Sequence, residues 1–320
     1  MAVSEAAVRV VPGPERGHWW NEWLDSKQSF PATGNFDLVA NAHGLLMIHN
    51  EDVVDPGEGF DTHQHRDMEI VTWVLEGTVV HQDSAGHSGL IHPGMAQRMS
   101  AGTGILHSER NGAGRAERER LHVVQMWVPP HEPGVTPGYQ ELDIAAELTG
   151  NSLFTVASGL PRDRDRTAIT IGNKYAAFHV ARLEPGHSVL IPDAPFGHVF
   201  VARGSVEFEG SGVLTQGDAV RLTASGGHRV TAVEPSELLV WEMHASFARP
   251  PSGPCTDRSD RVENARQTHR DTPERSKLCA RRRRGCLVRS SSLGELNVCS
   301  GTLCGGWRWN VACLAMGKGY

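Results

Sequence analysis

From about residue 36 to residue 243 the chain breaks into short apolar runs separated by Gly, Pro, Asn and Asp. The spacing, roughly 8 to 12 residues, is that of an all-β sandwich or barrel and constrains the fold more than any other feature. Strands are expected at Leu45 to Ile48, Glu69 to Leu75, Thr78 to His81, Ala96 to Met99 and Leu121 to Val128. Gly77 and Gly86 sit where hairpin turns need a residue free to take positive φ. Residues 1 to 18 lack apolar periodicity and, with Trp19, Trp20 and Trp23 among polar residues ahead of Ser29-Phe30-Pro31, read as an ordered but irregular entry segment.

Pro129-Pro130, Pro133-Gly134 and Pro137-Gly138 then interrupt the pattern, because proline cannot donate to a ladder. A second series follows at Leu153 to Ala157, Ala176 to Leu183, Ser188 to Ile191, His198 to Val201, Ser205 to Glu209, Asp218 to Leu222, His228 to Ala232 and Leu238 to Met243. Both series contain a strand, a Gly turn and a strand, Val74 to Val79 and Phe200 to Val206, each followed by a Pro93-Gly94 or Gln216-Gly217 turn. One β-barrel unit, duplicated, accounts for both. The expected domains are residues 1–135, residues 136–247 and a tail, 248–320.

Residues 249 to 320 hold 14 Lys and Arg against 6 Asp and Glu, although the whole chain has net charge −6. The body is therefore acidic and has no global electrostatic reason to bind nucleic acid. All six cysteines, at 255, 279, 286, 299, 304 and 313, lie in the tail, without the paired Cys-x2-Cys spacing of a zinc site. The tail, with its Arg281 to Arg284 run, is expected to be disordered to about residue 292, and is hypothesised to be a non-native extension from altered reading of the gene's end. No apolar run approaches the roughly 18 to 20 residues that span a bilayer, and no signal pattern opens the chain, so a cytoplasmic protein is expected.

Chemistry concentrates in Gly57 to His65 and Gly102 to Asn111. Side chains alternate along a strand, so His63 and His65 share one face, as do His107 and Glu109. A His-x-His pair alone is common on strand surfaces; joined by the His107/Glu109 pair on a facing strand, it makes a four-ligand metal pocket. Three imidazoles and a carboxylate suit Fe(II), Ni(II), Cu(II), Mn(II) or Zn(II) rather than calcium or magnesium, and leave positions open for water, substrate or dioxygen. The donors do not choose among these metals.

These blocks resemble the cupin motifs Gly-x5-His-x-His-x3-Glu and Gly-x2-His-x3-Asn. More specifically, His63 to Glu69, Leu75 to Ser84 and Met99 to Glu109 are similar to the pirin family, over roughly residues 8 to 247. The resemblance implies two tandem cupin domains, jelly-roll-type β-barrels, with one divalent metal, Fe(II) first, on His63, His65, His107 and Glu109. Glu69 is not a ligand in that pattern, and Gly102 replaces the cupin proline. The second domain has no His-x-His pair and is expected to be metal-free, with His187, His198 and His228 as surface or strand histidines.

The resemblance further implies quercetin 2,3-dioxygenase activity, in which a flavonol ring is opened by O2 with release of CO; Glu109, placed beside the bound oxygen, is hypothesised to be the catalytic base. The alternative it implies is a non-enzymatic metal-binding regulator acting through protein partners such as transcription factors. The expected partners are a flavonol-like aromatic substrate and O2, with no membrane and no direct nucleic acid, and the expected state is a monomer. Phe60, Met68 and Gln125 are further candidates to line the pocket, Trp73 and Trp127 read as core, and Arg115 to Arg120 reads as a solvated loop.

Overall fold

The computed structural model describes residues 5–31 and 37–247, and the backbone of 297–303 and 307–313. Its strands are β1 (Ala7–Val11), β2 (Gly17–Trp20), β3 (Leu24–Gln28), β4 (Ile48–Val54), β5 (Gly59–His65), β6 (Glu69–Glu76), β7 (Val79–Asp83), β8 (Ser88–Ile91), β9 (Met95–Ser100), β10 (Ile105–Asn111), β11 (Leu121–Val128) and β12 (Gly138–Asp143). The second series runs β13 (Phe154–Ser158), β14 (Ile169–Thr170), β15 (Ala176–Leu183), β16 (Ser188–Leu190), β17 (Phe196–Arg203), β18 (Ser205–Phe208), β19 (Gly212–Thr215), β20 (Ala219–Thr223), β21 (Arg229–Ala232) and β22 (Ser236–Met243).

Each series builds one seven-stranded and one four-stranded sheet in matching order. The first barrel has β12-β9-β6-β11-β4-β3-β2 over β5-β10-β7-β8, and the second has β1-β20-β17-β22-β15-β13-β14 over β16-β21-β18-β19. The duplication is therefore real, down to the strand order. The outermost strands are exchanged along the chain. β1 pairs with β20, and β12, which lies beyond residue 135, pairs with β9 of the first barrel.

Three expectations need correction here. The leading segment is not irregular: β1 to β3 are ladder strands, hidden in the sequence because β2 (Gly-His-Trp-Trp) and β3 (Leu-Asp-Ser-Lys-Gln) carry polar residues on their outer faces. The strand expected at Leu45 to Ile48 runs instead from Ile48 to Val54, through the polar His49-Asn50-Glu51-Asp52. The proline-rich connector gives way to β12 once Pro137 is passed. Of the tail, the backbone of one antiparallel hairpin is described, Asn297–Leu303 with Trp307–Cys313; the expectations for the cysteine side chains and the basic run lie outside the described residues.

The large sheets of the two barrels pack face to face. Trp73, Leu75, Val124 and Met126 meet Phe178, Phe200, Leu239 and Trp241 in one buried cluster. Trp73 and Trp241 are fully buried, and each ring removes on the order of 150–250 Å² from water, worth about 4–6 kcal/mol gross. Trp73 also donates its indole N–H across the seam to Glu237 at 2.6 Å. His198 belongs to this seam. Of the two expected places, surface or strand, it takes the strand: it lies on β17, fully buried, with its ring 4.7 Å from that of His49. Among the described residues no helix is long and apolar enough to cross a membrane.

Candidate metal centre

The barrel interiors differ. In the second, the inward side chains form one apolar cluster, including Val199, Val201, Val206, Phe208, Val220, Val230 and Val240. In the first, apolar side chains fill the two ends only, one around Ile70, Met99 and Ile105 and the other around Val54, Val74 and Val79. Between them alternation puts a polar belt: Asn50 and Asp52 on β4, Thr72 on β6, Gln97 on β9, Gln125 on β11, His81 on β7 and His107 and Glu109 on β10.

The belt holds the histidines singled out above. β5 and β10 are antiparallel neighbours with His63 opposite His107, so the two ligand pairs sit side by side in one sheet rather than on facing strands. A register shift between His107 and Glu109 sets Glu109 opposite Phe60. The ring centroids of His63, His65 and His107 lie 4.4 to 4.9 Å apart, and one nitrogen of each falls within 4.8 Å of the others. Glu109 offers a carboxylate oxygen within the same distance of His107 and of His81.

The three imidazoles are set as metal ligation would need them. His63 donates Nδ1–H to the carbonyl of Asp61 at 2.7 Å, which fixes the tautomer and leaves Nε2 with its lone pair. Burial, reinforced by the neighbouring imidazoles, holds His65 and His107 well below the ordinary histidine pKa, so both rings are neutral as ligation requires. His65 Nε2 and both nitrogens of His107 are buried without a hydrogen-bond partner among the described groups. Orphaned nitrogens converging on one point fit a divalent transition ion, which would use the lone pairs that the protein leaves unpaired.

Around them, Gln125 donates to Glu109 Oε2 at 2.6 Å, Thr72 donates to Oε1 at 3.4 Å, and Trp127 donates its indole N–H to Gln125 Oε1 at 2.9 Å. Trp127 also stands edge-on to His65 at 4.7 Å, so it packs against the histidine cluster as well as the apolar end of the barrel. Gln125 is part of the polar belt. Met68 is buried in the apolar end, and Phe60 packs edge-on against Trp23. Glu69 points elsewhere, accepting from Ser100 Oγ at 2.8 Å and Gly172 N at 2.9 Å. Arg115 and Arg120 lie exposed in ion pairs with Glu58 and Asp55. Sequence reasoning missed His81; its signal was the alternation with Val79 that turns both inward.

The family model described as Pirin matches residues 12–128. A Mycobacterium tuberculosis protein named a putative quercetin 2,3-dioxygenase is 50% identical over 242 residues, 76% of this chain and 97% of that protein. Quercetin 2,3-dioxygenase of Escherichia coli is 48% identical over 127 residues, 40% of this chain and 54% of its own length. The crystal structure of the bacterial pirin YhhW from Escherichia coli in complex with nickel(II) superposes with a TM-score of 0.66 at 32% identity, covering 75% of this chain and all of that one. Matched by the family model over the first barrel, and by a nickel-bound pirin over both, the chain belongs to the pirin family.

Proposed function

We propose that this protein is a metal-dependent dioxygenase of the quercetin 2,3 type, with one divalent transition ion held by His63, His65, His107 and Glu109. The observation that carries the reading is the convergence of buried, neutral, unpartnered imidazole nitrogens beside a carboxylate. The relatives' names and the nickel(II) bound by YhhW support the same chemistry. Iron is the first metal to try.

When bound, the ion supplies Lewis acidity and coordination positions that the protein leaves open. The rest falls to the side chains. Glu109, oriented by Gln125 and Thr72, takes the proton of the flavonol 3-hydroxyl. Gln125 is itself locked by Trp127, so the carboxylate is held without waiting for substrate. His65, His107 and Glu109 are buried while His63, on the sheet's edge strand, is half-buried, so substrate approaches from the β5 side. Burial of the remaining belt keeps bulk water from the opened ring.

Full-length protein reconstituted separately with Fe(II), Ni(II), Cu(II) and Mn(II) is expected to consume quercetin with stoichiometric CO, and His63→Ala to abolish both. Glu109→Gln is expected to lower turnover by about 10²- to 10⁴-fold, the range for a lost general base. Tight binding of one metal without turnover for any of the four would overturn the dioxygenase reading in favour of a regulatory protein.

A further inference from the structure

His81 is a fourth histidine of the belt that the proposed ligand set leaves unused. It is fully buried, its Nδ1 has no hydrogen-bond partner, and its Nε2 reaches only Asp83 Oδ2, at a long 3.5 Å. The ring is held in place, stacked on Tyr139 at 5.0 Å and set 5.3 Å from His107. One donor atom each of His81, His107 and Glu109 falls within 4.8 Å of the others. A buried imidazole aimed at a carboxylate and a second orphaned imidazole, without a bond to either, costs free energy unless something joins them.

The second barrel supplies an internal control. Glu109 pairs with His81 in the first barrel as Val230 pairs with Phe208 in the second, and both pairs sit at the same place relative to the Gly77 and Gly204 turns. Where the belt is apolar, the two positions have changed together. The fold therefore does not require a histidine at His81, since a phenylalanine fills the equivalent space.

We propose that His81, His107 and Glu109 form a second, inner position for a divalent transition ion, overlapping the outer position at His63, His65, His107 and Glu109. The inner set has two imidazoles and one carboxylate, a donor combination suited to Fe(II), Co(II) and related ions. His107 and Glu109 are common to both positions, and each ring nitrogen of His107 is without a hydrogen-bond partner. One ion occupies the pair at a time, because the two positions share His107 and Glu109, and two dications that close would repel strongly in a buried site. Movement inward frees the ion from the edge strand β5, so the protein offers it two ligand fields. This inference rests on the reading that the first barrel binds such an ion.

The test is a Co(II) titration of the full chain, with bound metal counted by equilibrium dialysis and its ligand field read from the visible spectrum. Wild type is expected to bind one equivalent. The double variant His63→Ala/His65→Ala is expected to retain one equivalent with a shifted spectrum, and His81→Phe added to it to abolish binding. His81→Asn in the same background replaces the phenylalanine variant if the latter's circular dichroism shows misfolding. If the double variant binds nothing while wild type binds one ion, the inner position is refuted and the outer one stands. If adding His81→Phe changes nothing, His81 is not a ligand and the proposal fails. No binding by wild type would overturn the metal reading itself.

Discussion

Gly102 lies in the turn between β9 and β10, just ahead of the strand that carries His107 and Glu109. Its φ is +47°, and a Cβ there would stand 2.1 Å from the carbonyl oxygen of Val135, 2.8 Å from Pro137 N and 2.9 Å from Thr136 C. These are backbone atoms, and the Val135 carbonyl is pinned by accepting from Thr103 N at 2.8 Å. Gly86, between β7 and β8, has φ +92° with nothing within 4 Å of its would-be Cβ. Gly86→Ala therefore incurs only the left-handed backbone cost, about 1–2 kcal/mol. Gly102→Ala incurs that and a backbone displacement, which overpacking data put at about 1–3 kcal/mol more. At about 2–4 °C per kcal/mol for a domain of this size, Gly102→Ala should melt about 2–12 °C below Gly86→Ala. Thermal unfolding followed by circular dichroism reads the difference, and Co(II) affinity should fall in Gly102→Ala alone because β10 is displaced. Equal melting temperatures and equal affinities would refute the argument that this turn positions the site.

Other consequences concern the seam and the neighbours of the site. Burial holds His49 down at about 3 and His198 well below the ordinary histidine value, while both take up protons near 6.5 once unfolded. The unfolded chain therefore binds more protons between those limits, and stability is lost as pH falls from about 6.5 towards 3. His198→Phe, facing Phe30, should shrink the loss in urea-unfolding stability between pH 7 and pH 5; an unchanged loss would show that the ring does not couple to the seam. Trp73→Phe deprives Glu237 of one of its two donors, the other being Arg182, and should cost about 1.5–3 kcal/mol; a cost under half of that would mean the carboxylate finds water. Glu69→Ala leaves Ser100 Oγ and Gly172 N without their acceptor at about 1–3 kcal/mol each, yet should bind a full equivalent of metal, whereas a metal-free Glu69→Ala would make Glu69 a ligand after all.

Much of this was legible in residue order because alternation and turn chemistry are local. Leu121 to Val128 and Ala176 to Leu183 match their strands end to end, and His63 and His65 share a face as a period of two dictates, with the pairing of β5 and β10 bringing His107 to them. What was illegible depends on what lies opposite. β4 hides behind four polar residues because Asn50 and Asp52 face a polar interior while His49 and Glu51 face the opposite way, His49 against Phe200 of the second barrel and Glu51 paired with Arg16 and His122. Trp127 looks like core because its neighbours are apolar; only the fold reveals that its face is the one shared with Gln125 and His65. The exchange of β1 into the second barrel joins residues more than 200 apart, and no local pattern carries it.

The paired barrels also explain how the first can hold so many unpartnered polar groups. Following the registers rung by rung, Thr72, Gln97 and Gln125 of the first barrel correspond to Val199, Val220 and Val240 of the second. On the small sheets, His81 and Glu109 correspond to Phe208 and Val230. Each buried polar group without a partner costs about 1–3 kcal/mol, a sum that a lone barrel with apolar ends only would meet with difficulty. The second barrel has the same strand order with its belt filled by hydrocarbon, and it clamps the first through Trp73, Phe178 and Trp241 and by taking the chain's own β1. Duplication followed by divergence of the belt thus separates the two demands on the fold: one copy holds reactive, under-bonded side chains in register, and the other holds the first copy rigid enough to keep them there.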